Sequence, residues 1–166
     1  MFTSIEHFTT VYKAEVERTE KLLGNLTDAS LSKPDHKDLR SLGRAAWHII
    51  TTYPEMCRRF DIHLDKPSEN DPIPKKAADI KDAYHLVTGA VLQAVGGWKD
   101  ADLRREDDMY GEKWPRGKSL WVLVVHEIHH RAQMTVLMRL AGVPVTGVYG
   151  PSREEWSQYG TKAPEV

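Results

Sequence analysis

The sequence predicts an all-α fold: a four-helix bundle with a short extra C-terminal helix. Three observations carry this. Four segments repeat apolar residues at helical spacing, the chain breakers fall between them, and no stretch of useful length alternates as a strand would. At 166 residues the chain suits one domain with a proper core, spanning residues 1–166.

The first helix is expected from about Ser4 to Leu26. Phe8, Val11, Tyr12, Leu22, Leu23 and Leu26 share a stripe that weakens around Glu15. Thr3 followed by Glu6 reads as a capping box. A polar link with Pro34-Asp35-His36-Lys37-Asp38 follows. Ser41 then caps a second helix from Leu42 to about Ile62, with Ala45, Ile49, Tyr53, Met56 and Phe60 on its apolar face. Pro54 falls inside this run and predicts a kink near Tyr53.

Lys66 to Lys76 holds three prolines and reads as a loop. The third helix, Ala77 to Val95, has the cleanest period, through Ile80, Tyr84, Val87 and Val91. Gly96-Gly97 ends it. Asp100 to Lys118 reads as irregular. Ser119 is expected to cap the fourth helix, Leu120 to about Ala141, which Gly142 and Pro144 stop. Ser152 to Tyr159 forms a short amphipathic piece. The longer links after the second and third helices leave room for crossovers.

Composition narrows the function. Hydrophobic residues make up 40%, charged residues 28%, and the formal net charge is −1. No basic surplus points to nucleic acid. The one cysteine, Cys57, excludes an internal disulfide and a Cys-rich zinc site. It reads as a small buried hydrophobe and fits a cytoplasmic setting. The first residues lack a signal-peptide pattern, and no apolar run is long enough to span a bilayer.

The chemistry gathers at His126-Glu127-Ile128-His129-His130. Residues four apart share a helix face, so His126 and His130 point at one metal ion. Read literally, the stretch is also H-E-x-x-H, the zinc-protease motif with Glu127 as general base. The protease reading is weak. Gln133 and Val136 stand where one such family needs Gly and His, and no strands offer a substrate-binding edge. Glu127 lies roughly 100° from His126 on a helix, and it reads as a solvent-exposed residue. His129 is turned away from His130 by the same angle. A catalytic metal site needs a third protein ligand. His7, His36, His63 and His85 are candidates. His48 is the best, with small Ala45 and Thr52 beside it. It lies at the margin of its apolar stripe, which suits a site opening to one side of the bundle.

These residues resemble the DinB family, within the DinB/YfiT-like superfamily of damage-inducible, metal-dependent proteins. The resemblance rests on Leu42-Gly43-Arg44-Ala45-Ala46-Trp47-His48-Ile49 and on His126-Glu127-Ile128-His129-His130-Arg131-Ala132-Gln133-Met134. The tail from Gly147 to Trp156 is similar to one subgroup. Ala132 departs from the glycine the family often has there. The resemblance implies a four-helix bundle in which His48, His126 and His130 hold one metal, zinc or nickel. It also implies a homodimer and, in some members, transfer to a low-molecular-weight thiol such as bacillithiol or mycothiol, or hydrolase chemistry on another small molecule. A non-enzymatic, stress-related dimeric bundle is the alternative. Arg131 and Gln133 have packing or anchoring roles open to them. Trp47, Trp114 and Trp121 are available as interface anchors.

Overall fold

The computed structural model describes residues 1–64, 66–68 and 70–165. Four helices dominate: α1 Ile5–Leu23, α2 Leu42–Cys57, α3 Ala77–Gly96 and α4 Arg116–Leu140. No helix among the described residues is long and apolar enough to cross a membrane. The core is built from the expected stripes, with Phe8, Tyr12 and Leu22 meeting Ile49, Ile50, Ile80, Val91, Leu120 and Met134.

Cross-helix contacts set the directions. Glu15 meets Arg131, and Asn25 meets the carbonyl of Pro144. Numbers rise together along α1 and α4, so these helices run parallel. His48 meets His130 and Tyr53 meets Glu127, so α2 runs against α4. His85 meets Glu20 and Ala77 meets Asp28, so α3 runs against α1. The link between α2 and α3 is therefore the crossover. The link after α3 joins antiparallel helices, so it is no crossover; its hairpin packs beside the start of α4. The expected loop over 66–76 has no helix or strand at its described residues, and Glu69 lies outside them.

Several boundaries differ from expectation. The α1 cap is Ser4, whose side chain accepts from the His7 N–H at 3.2 Å, and not Thr3. Ser41 caps α2 as expected, accepting from the Arg44 N–H. Pro54 stays inside α2, which ends at Cys57 and tightens into a 3₁₀ turn, Arg58–Phe60. The C-terminal amphipathic piece is likewise a 3₁₀ turn, Trp156–Tyr159.

The stretch expected to be irregular carries a hairpin, β1 Glu106–Met109 and β2 Glu112–Pro115. Tyr110 and Gly111 both have positive φ, 60° and 88°, the two-residue turn that matches strand twist. Strand β2 feeds directly into α4 at Arg116, one turn before the expected start at Leu120. Ser119 is therefore buried inside the helix and is no cap. Two features permit the early start. The Arg116 guanidinium is buried but paired with Asp107 and Asp61. Gly117 lets α4 press against the N-terminal segment, where a Cβ would lie 2.1 Å from the Phe2 carbonyl oxygen.

Candidate metal centre

Helix α2 is buried on almost every side. Arg44, His48 and Glu55 are its residues that escape full burial. On a helix these three fall within roughly 40° of one another, so α2 shows solvent one narrow stripe. His48 sits in its middle. Helix α4 crosses this stripe and presents His126 and His130, one turn apart.

The three imidazoles converge. His130 Nε2 lies 3.1 Å from His48 Nε2 and 3.1 Å from His126 Nε2. One ring nitrogen from each residue lies within 4.8 Å of the others, a group able to hold a metal ion. Two imidazole nitrogens bound to one zinc at tetrahedral angles stand about 3.3 Å apart, so the spacing suits such an ion. Of the other histidines, His7, His36, His63, His85 and His129 fall outside this group.

The protonation state suits it too. Burial, then the neighbouring His130 and the Arg40 guanidinium, push His48 down to about 4. Burial, His130 and His129 push His126 down to about 4 as well, against an opposing pull from Glu55. Burial also lowers His130, partly offset by its hydrogen bond to Gln133. Neutral imidazole is the form that binds metal.

Gln133 has a role the sequence left open. Its Oε1 accepts from His130 Nδ1 at 2.8 Å, and its amide donates to His129 Nε2 at 2.9 Å. That pattern leaves the His130 Nε2 lone pair free for an ion, as outer partners of metal ligands commonly do.

Glu127 is not exposed. It is 2% accessible and turned into the bundle. Its carboxylate accepts from Thr19 Oγ1 at 2.6 Å, Tyr84 Oη at 2.6 Å, and Tyr53 Oη. Burial, then the Glu127 charge, raise both tyrosines well above their ordinary value. The neighbouring position, Arg131, is also buried. It bonds the Glu15 carboxylate at 2.5 Å, the Glu15 carbonyl at 3.0 Å and Tyr149 Oη at 3.0 Å. Burial alone raises the Glu15 carboxyl, but hydrogen bonds from Tyr149 and Arg131 outweigh it and hold it low. The weak point in the α1 stripe is thus the anchor that ties α1, α4 and the C-terminal tail together. Cys57 is fully buried, and burial raises its thiol far above the reactive range.

Comparison with known proteins bears on the family and the fold. The profile of the DinB family matches residues 1–164. The chain is 39% identical over 167 residues to the uncharacterized protein YrdA of Bacillus subtilis (strain 168), and the match covers 100% of both. The crystal structure of a DinB-like protein from Bacillus cereus ATCC 10987 superposes with a TM-score of 0.85 at 39% identity. That match covers 90% of this chain and 100% of the other. A second DinB-like protein, YjoA of Bacillus subtilis, superposes at 0.69 with 16% identity, over 88% of this chain and 99% of the other. The second likeness speaks to the fold alone.

Proposed function

This chain belongs to the DinB family, and from that premise we propose that it is a metal-dependent enzyme acting on a small molecule. His48, His126 and His130 would hold a divalent transition metal, zinc or nickel. The reaction class is thiol S-transfer or hydrolysis. The observation that carries this reading is the convergence of three neutral imidazole nitrogens on the open stripe of α2. When bound, such an ion lowers the pKa of a coordinated thiol or water and makes a nucleophile at neutral pH. The chain's own residues do the rest. Gln133 fixes the ring orientation of His130. Burial keeps all three rings unprotonated.

The protease reading finds no support here. The group it needs as general base, Glu127, is consumed by three hydroxyl donors inside the bundle. The test is metal-dependent consumption of a low-molecular-weight thiol in the presence of an electrophile. The purified, metal-loaded protein is expected to be active, and His48→Ala is expected to lose both stoichiometric metal and activity. Full metal retention in that variant would sink the reading.

The dimeric part of the alternative reading, a non-enzymatic dimeric bundle, draws on a different observation. Trp121, Val125, Val136 and Leu140 stand exposed along the outer side of α4, spaced so that they share one face. We propose that this face pairs two copies of the chain, whether or not the site is catalytic.

A further inference from the structure

We propose that Glu55 receives the protic group of a ligand held at His48, His126 and His130; this rests on the metal reading above. Glu55 shares the narrow open stripe of α2 with His48 and Arg44. It lies seven residues past His48, about 10 Å along the axis. Helix α4 runs the other way, so His126 is displaced from His130 toward Glu55 by about 6 Å. Glu55 therefore stands roughly one turn beyond His126. Side chains on a helix lean toward its N-terminus, which for Glu55 is toward the histidines. It is absent from the group of donors within 4.8 Å of one another, so it is no fourth ligand. A water or thiol bound to an ion at the rings would carry its proton on the side where Glu55 stands.

Glu55 is also held in place. Arg59 Nε donates to one carboxylate oxygen at 3.0 Å, and Tyr110 Oη donates to the other at 2.7 Å. The Arg59 guanidinium lies 4.1 Å from the centre of the Tyr110 ring. Tyr110 is the hairpin-tip residue with φ of 60°, so the β-hairpin delivers the clamp. Each carboxylate oxygen keeps an acceptor site for one more donor. Glu55 also lines a cavity of about 410 Å³ with Thr51, Arg58, His63 and Asn70.

The test replaces the resident ion with Co²⁺ and follows its visible spectrum against pH. A negative charge beside a protic ligand opposes its ionisation. In Glu55→Gln the cobalt content is expected to stay near one per chain, while the spectral midpoint falls by about one pH unit. Glu55→Asp, which keeps the charge, is expected to shift by less than half as much. Glu20→Gln, a carboxylate paired with His85 on α1, is expected to leave the midpoint in place. A Glu55→Gln titration that overlays the unmodified protein would overturn the proposal. So would loss of cobalt from that variant, since Glu55 would then be a ligand. Failure of the unmodified protein to bind cobalt would instead strike the metal reading itself, and this proposal with it.

Discussion

Glu127 and His126 are neighbours in the chain with opposite surroundings. His126 faces the open side of the bundle, while Glu127 faces three hydroxyl donors in the core. Removing the carboxylate would strand Thr19, Tyr53 and Tyr84, and each orphaned buried donor costs 1–3 kcal/mol or more. Glu127→Ala is therefore expected to lose about 3 kcal/mol or more of stability, read by denaturant unfolding, while retaining its metal. Loss of metal with unchanged stability would contradict this. The histidine pair was legible because four-residue spacing is a direct geometric signal. His48 was the best third candidate for its small neighbours, and the resemblance strengthened it, since its place at the margin of its stripe is ambiguous alone. The burial of Glu127 was not legible. The 100° offset from His126 correctly turned it from the metal, but on α4 that direction leads into the core and not to solvent. The available hint was a pair of tyrosines, Tyr53 and Tyr84, centred on the apolar faces of two other helices.

At the scale of elements, the four helices followed from apolar period and breakers. The hairpin did not, because Glu106-Asp107-Asp108 and Glu112-Lys113 offer almost no apolar alternation. Its strands are held by pairing and by burial of Met109. The early start of α4 escaped for a related reason. Gly117 looks like a breaker in sequence, yet here it permits contact with Phe2. The outer side of α4 leads to a prediction. If Trp121, Val125, Val136 and Leu140 pair two copies, light scattering will give twice the chain mass, and Trp121→Glu will shift the protein toward monomer. A monomeric unmodified protein would show that this face does not pair two copies.

For the molecule as a whole, the site couples stability to pH. The folded values of His48 and His126, about 4, lie below the ordinary 6.5. As pH falls below 6.5 the unfolded chain takes up protons on these rings, and the folded chain does not until near 4. Stability of the metal-free protein is therefore present above about 6.5 and is lost as pH falls toward 4. Thermal melting in the presence of a chelator should show a Tm that drops across this window. A divalent ion that binds the folded form should raise Tm at neutral pH by mass action. A Tm indifferent to pH between 6.5 and 4 would contradict the half-buried, neutral state of the rings. One metal is expected where α2 and α4 bring their histidines together. Anomalous diffraction at the metal edge, from crystals grown with zinc or nickel, should show one peak per chain, about 2.0–2.1 Å from a ring nitrogen of each of His48, His126 and His130. A peak elsewhere, or one that His48 does not reach, would contradict it.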